Sequence, residues 1–197
     1  MTRSPDRSAQ RARTRQAILD GARKLLFEGK TVTVAAAAAE MGVSKATSYR
    51  YFSDPSVLVA EAVLDVDVDS YEAIVAGQET LRGKLRAICL YFFDLSVTHE
   101  AGFRQFMAAA MTAWKADSPA TARGGRRVKM FRRALGEHET GLSKDARETL
   151  VQALTVSTGV EAMIALLDIA RTDVESARQT VAFMADALVD RAVGKAG

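Results

Sequence analysis

One cysteine, three prolines, two histidines and one tryptophan occur in 197 residues, and each scarcity excludes something. Cys89 alone cannot close an internal disulfide, so the chain is not a disulfide-stapled scaffold and suits a reducing compartment. Two histidines and one cysteine do not make a common structural zinc site. Prolines at only three positions leave long stretches free to be helical. No apolar run opens the N-terminus, MTRSPDRSAQRARTRQ, so no secretory signal is expected and the chain reads as cytoplasmic. The segment from Leu150 to Ala170 approaches membrane length, but Gln152, Glu161 and Asp168 interrupt it; it reads as a buried helix, with no membrane partner.

Catalytic signatures are missing as well. The chain has no glycine-rich phosphate loop, no nucleophile elbow and no pair of histidines at metal-binding spacing. His99-Glu100 and His138-Glu139 are sequence neighbours, which a helix would point about 100° apart. The expectation is therefore a protein that is not an enzyme and needs no cofactor.

What is present is a helical chain with 48% hydrophobic and 26% charged residues, the balance of a globular protein. Its net charge of +3 is unevenly distributed. Residues 1–54 hold ten Lys or Arg against five acids, a net of +5; the remainder holds 17 against 19, a net of −2. Positive charge gathered at one end is the footprint of a nucleic-acid-binding module.

Within that end lies TVAAAAAEMGVSKATSYRYF, residues 33–52. Thr33 can cap a helix opening at Val34, and Ala35 to Ala39 are strong helix formers. Gly42 suits the positive φ of a tight turn, and Ser44 offers a second cap two residues later. Two short helices joined by a glycine-bearing turn make a helix-turn-helix, whose second helix enters the major groove. That second helix carries Lys45, Thr47, Ser48, Tyr49, Arg50 and Tyr51, with Phe52 as an apolar plug. Ammonium, hydroxyl and phenolic groups serve phosphates and base edges.

With GVSKATSYRYF preceded by RTRQAILDGARKLLFEG, residues 11–60 resemble the DNA-binding domain of the TetR family of transcriptional regulators. The resemblance implies that Thr33, Ser44 and Tyr49 meet the phosphate backbone, that Lys45, Thr47 and Ser48 lie nearest the bases, and that Tyr51 takes the place of a phosphate-touching histidine. Ala46 stands where the family usually has glycine, and Pro55 where it usually has lysine.

The rest of the chain reads as a series of helices. Residues 1–8 read as a disordered basic arm, followed by an amphipathic helix from Ala9 to Phe27. A helix capped by Ser53 or Asp54 is expected to run to about Gly77 as a mechanical connector between domains. Thr80 to Val97 and His99 to Lys115 follow as core helices, with a loop from Asp117 to Gly125. A densely basic helix, Arg126 to His138, succeeds it, and Arg123 to Arg133 read either as a solvated cationic face or as an attractant for an acidic effector. A helix from Ser143 to about Ile169 and a last one from Asp173 to Val193 complete the chain.

The fold class is therefore all-α: a three-helix helix-turn-helix DNA-binding domain over residues 1–57, then a larger helical effector-binding and dimerisation domain over residues 58–197. An aromatic and methionine stripe is ordinarily core, but the resemblance implies an effector pocket among such helices. Its lining would be Phe92, Phe103, Phe106, Met107 and Trp114, with Tyr91 and His99 as polar contacts. Val174, Ala177, Val181, Met184 and Leu188 recur at three- and four-residue steps as a packing seam, which serves an intramolecular hairpin or, with Val160, Met163 and Leu167, a homodimer's four-helix bundle.

The functional expectation is a homodimeric repressor that binds a pseudopalindrome in double-stranded DNA and is released by an unidentified small-molecule effector. An activator or effector-independent regulator is the alternative within the class. A small-molecule carrier or degenerate enzyme is the alternative outside it.

Overall fold

Hydroxyl and carboxylate caps set most helix starts. Thr33, Ser44, Ser70, Thr80 and Ser143 each accept, on the side-chain oxygen, the N–H of the residue three positions on, at 3.1–3.2 Å; Asp173 does the same for Ser176 at 2.8 Å. Each bond satisfies a donor that the first helical turn leaves without a partner. The helices that result are α1 (Pro5–Phe27), α2 (Val34–Glu40), α3 (Lys45–Ser48), α4 (Pro55–Leu64), α5 (Tyr71–Ile74), α6 (Leu81–Thr98), α7 (Glu100–Ala113), α8 (Arg126–Gly136), α9 (Lys144–Val156), α10 (Gly159–Ile164) and α11 (Val174–Val193). A π-helical turn, Ala165–Ile169, extends α10.

This computed structural model describes residues 5–64, 68–113 and 125–194, and among them it is all helical with no strand. No single described helix is long and apolar enough to cross a membrane. Trp114, Arg123 and most of the loop expected from Asp117 lie outside the described residues.

Two compact units are formed, one from Met1–Asp67 with Ala101–Arg123, the other from Val68–Glu100 with Gly124–Gly197. The boundary expected near Leu58 falls inside α4, whose Leu58, Val59 and Ala62 are buried. In the first unit α1 supplies Ile18, Leu19, Ala22, Leu25 and Leu26 to a core shared with Val34, Ala37 and Ala38 of α2. Gly21 makes that crossing possible, because a β-carbon there would sit 2.0 Å from the Ala37 carbonyl oxygen. Phe106 and Met107 of α7 are buried as well, and Gly102 lies against Leu26 and Val63. A helix from late in the sequence thus completes the N-terminal unit.

In the second unit α6 is the central element, burying Leu85, Ile88, Cys89, Phe92 and Phe93. The last helix, α11, runs alongside it through Ala177, Val181, Ala185 and Val189. Ion pairs line this packing: Arg82 with Asp190, Arg86 with Asp186 at 3.8 Å, and Asp94 with Arg178 at 3.0 Å.

Three expected elements differ. The chain is already helical at Pro5, inside the stretch 1–8 expected as a disordered arm. The expected connector to Gly77 does not run through: α4 is described as far as Leu64, Val68 to Ser70 are not helical, and α5 starts on its own cap. Asp69 and Ser70 favour such a restart, since short polar side chains compete for backbone bonds. The long helix expected to Ile169 breaks at Ser157 and Thr158 and bends by 51°. There the Ser157 hydroxyl turns back to the Ala153 carbonyl at 2.9 Å, while the buried Thr158 hydroxyl donates to the Cys89 carbonyl.

Candidate nucleic-acid interface

The α2 to α3 segment is fixed by its own backbone. Gly42 adopts φ of +68°, its N–H reaches the Ala39 carbonyl at 3.1 Å, and the Val43 N–H reaches the Ala38 carbonyl at 2.9 Å. These bonds end α2 and turn the chain, and Ser44 restarts it by capping α3 through Thr47. Phe52 is buried below the turn, with the Arg15 guanidinium over its ring at 4.9 Å. Arg15 also pairs with Glu61 of α4, so this cation ties helices together.

Side-chain directions separate the expected contact residues. Lys45 and Tyr49 are exposed, as are Ala46 and Arg50, and the four share one face of α3 and the turn that follows it. Thr33 and Ser44 are exposed, each with its oxygen engaged as a cap. Thr47 is half-buried and accepts a hydrogen bond from the Ser44 hydroxyl at 2.9 Å; Tyr51 is half-buried. Ser48 corrects the expectation. It is 0% exposed and its hydroxyl donates back to the Lys45 carbonyl at 2.8 Å, so it faces the core and reaches no base edge.

A count of cations sharpens the electrostatic picture. Lys24 pairs with Glu40 and Lys30 with Glu28, each at 2.6 Å, and Arg23 pairs with Asp20. The hydrogen bond to Lys30 holds the Glu28 carboxyl below its usual range, and that to Glu40 raises the Lys24 ammonium. Arg11, Arg13, Lys45 and Arg50 are exposed and carry no ion pair among the described residues. Arg50 is visible in sequence as a cation, and its exposure beside Lys45 adds it to the candidate surface.

The expected effector lining is not brought together within either unit. Tyr91, Phe92 and His99 belong to the second unit, where the Tyr91 phenol oxygen accepts the Asp69 N–H at 2.7 Å and its ring meets Phe92 edge-on at 5.4 Å. His99 caps α6 through its backbone. Phe103, half-buried, and Phe106 and Met107, buried, belong to the first unit, and Trp114 lies outside the described residues.

The basic helix is largely neutralised from within. Arg127 donates to Glu161 at 2.9 Å and to the Thr158 carbonyl at 3.2 Å, Arg132 pairs with Glu148, and Arg133 pairs with Glu72 and Glu137. Arg133 also stacks over Tyr71 at 4.1 Å. Hydrogen bonds from Lys84 and Tyr71 hold Glu137 at a pKa of about 2, while burial and Glu137 push the Tyr71 phenol upward. Arg127, Arg132 and Arg133 thus have carboxylate partners, while Lys129 of the same helix is exposed with no ion pair among the described residues.

Four of the expected interface residues, Val160, Met163, Ala177 and Val181, are buried inside the protomer, because α10 and the seam of α11 both pack on their own α6. Leu167, Met184 and Leu188 are half-buried, and Val174 is exposed. The apolar side chains that face outward most in this unit, well beyond Val174, are Val156 at 69%, Ile169 at 78% and Phe183 at 72% exposure. Phe183 escaped the sequence reading because it sits outside the seam, flanked by Ala182 and Met184.

Nothing in the described residues gathers three or more metal-ligating side chains. Burial pushes the Cys89 thiol up to about 12, which leaves no thiolate for nucleophilic chemistry near neutral pH. Comparison with family models, with curated proteins and with solved structures finds no match.

Proposed function

We propose that the protein is a DNA-binding transcriptional regulator of the TetR type, with α2 and α3 as its helix-turn-helix. The observation that carries this reading is the exposed group Lys45, Tyr49 and Arg50 on a doubly capped helix pair, in a unit whose Arg11 and Arg13 are also unpaired. Lys45 and Arg50 supply charge for phosphates or guanine edges, and Tyr49 and Thr33 supply hydroxyl donors for phosphates. Ser48 has no part in base reading.

The regulator acts as a homodimer on a pseudopalindrome with half-sites about 34–36 Å apart, one turn of the duplex. Outward-facing Val156, Ile169 and Phe183, with half-buried Met184 and Leu188, supply the apolar surface for the second copy. Replacement of Phe183 by Glu is expected to give monomers in sedimentation, since a charge there would be desolvated at the interface. By the resemblance, the regulator is a repressor released by a small-molecule effector held in the second unit.

Selection of duplexes from a random pool by the purified, ligand-free protein tests the reading. Recovery of an inverted repeat is the expected result. A folded dimer that enriches no sequence would turn the assignment toward a carrier of small molecules.

A further inference from the structure

The loop from α1 to α2 is held by a residue far along the chain. The Gln105 side chain of α7 donates from Nε2 to the Lys30 carbonyl at 2.8 Å and accepts the Val32 N–H on Oε1 at 3.4 Å. A carboxamide carries one donor end and one acceptor end, so this bridge fits only one orientation of the group and fixes the loop as a neighbouring strand would. Its base is rigid: Phe106 and Met107 are buried beside it, and Gly102, one turn earlier, rests on Leu26 and Val63.

The next residue after Val32 is Thr33. Its Oγ1 accepts the Ala36 N–H, and its hydroxyl hydrogen has no acceptor among the described residues. Thr33 is exposed, so that hydrogen is available to a phosphate oxygen. The direction in which it points is set by the backbone at 30–33, and Gln105 holds that backbone.

We propose that Gln105 is a positioning residue for DNA binding, which aims the Thr33 hydroxyl at the phosphate backbone by clamping Lys30 and Val32. The proposal rests on the DNA-binding reading above. It gives α7 a part in DNA binding, although its sequence lies far from the helix-turn-helix and touches no nucleic acid itself.

The test uses the whole 197-residue chain and the duplex recovered by selection. In the free protein, Gln105→Ala is expected to speed hydrogen exchange at the Val32 amide by about tenfold. Gln105→Glu, which keeps an acceptor for Val32 but loses the donor to Lys30, should give a smaller increase. With DNA, Gln105→Ala should weaken binding about fivefold per protomer, the usual worth of one positioned hydrogen bond.

A double-mutant cycle distinguishes positioning from general loosening. Gln105→Ala combined with Thr33→Ala should cost little more than Thr33→Ala alone, whereas its combination with Lys45→Ala should be additive. If wild-type protein binds the duplex and Gln105→Ala leaves affinity unchanged, or adds fully to Thr33→Ala, the positioning role is overturned while the DNA-binding reading stands. If the wild-type protein binds no duplex, the reading and the positioning role fall together.

Discussion

Both units pair some of their cations, and they differ in where the unpaired ones stand. In the first, Arg11, Arg13, Lys45 and Arg50, on α1 and around α3, stand exposed with no ion pair among the described residues. In the second, Arg82, Arg86, Arg127, Arg132, Arg133 and Arg178 each meet an Asp or Glu of another helix, while Lys129, Lys144, Arg171 and Arg191, exposed with no ion pair among the described residues, are scattered one each over α8, α9, the loop before α11 and α11. Both units hold many basic residues, so local composition alone does not separate charge that binds from charge that folds. Pairing does. A cation left without a partner exerts its field outward, while a paired one is mostly cancelled within a few ångströms.

The largest expected effect is on DNA binding. Neutralising Arg11, Arg13, Lys45 and Arg50 together should flatten the salt dependence of affinity: eight phosphate contacts in the proposed dimer would give a logarithmic slope of about −7, which should move toward zero. Neutralising Arg132, paired with Glu148, should leave that slope unchanged. Titrations of a labelled duplex at several salt concentrations measure both, and an equal response to the two changes would erase the contrast between the units.

Next in size is Gly21→Ala. The added methyl meets the Ala37 carbonyl oxygen at 2.0 Å, backbone that cannot yield without moving α2. A loss of about 3 kcal/mol is expected in the first unit's denaturant unfolding, with the second unit's transition in place. A single transition shifted as a whole would mean that the units unfold together.

Acid should act on the second unit through Glu137. Its carboxyl is held at about 2, below its unfolded value, so its contribution is complete above pH of about 4.5 and is lost as pH falls through the folded value. Lys84→Met removes the main cause of the depression. Acid unfolding of that variant, followed by circular dichroism, is expected to begin at higher pH than in the wild type. The smallest effect belongs to the Arg178 and Asp94 pair, which is largely exposed: Arg178→Ala should cost about 0.5 kcal/mol, within reach of careful denaturant titration.

Much of the fold was legible because caps are local. Thr33, Ser44, Ser143 and Asp173 start helices where their short polar side chains announce it, and Gly42 turns the chain where a positive φ is needed. What escaped depends on tertiary partners. Ser48 looks like a contact residue by composition, and only the rotation of α3 against the core turns it inward. The α11 seam is a sound helix-packing pattern, but periodicity does not say whether the partner is α6 or another copy. Gln105 carries no local signal at all, since its partners lie in a loop more than seventy residues earlier. The exposed cations of the first unit were visible as a sum, and the ion pairs that subtract from it were not.

The ladder between α6 and α11 has one further property. Its three pairs join residues whose numbers add to the same total, the arithmetic of two antiparallel helices in a single alignment. Sliding α11 by one turn in one direction would keep an opposite charge only for Arg82, against Asp186, and would set Arg86 against Ala182 and Asp94 against Val174. Sliding it the other way would keep one only for Arg86, against Asp190, while Arg82 would meet Gly194 and Asp94 would meet Ala182. Either slip forfeits two of the three attractions. Each pair contributes little on its own, yet together they work as a vernier, rejecting offsets that the small alanines and valines of the seam would otherwise accept.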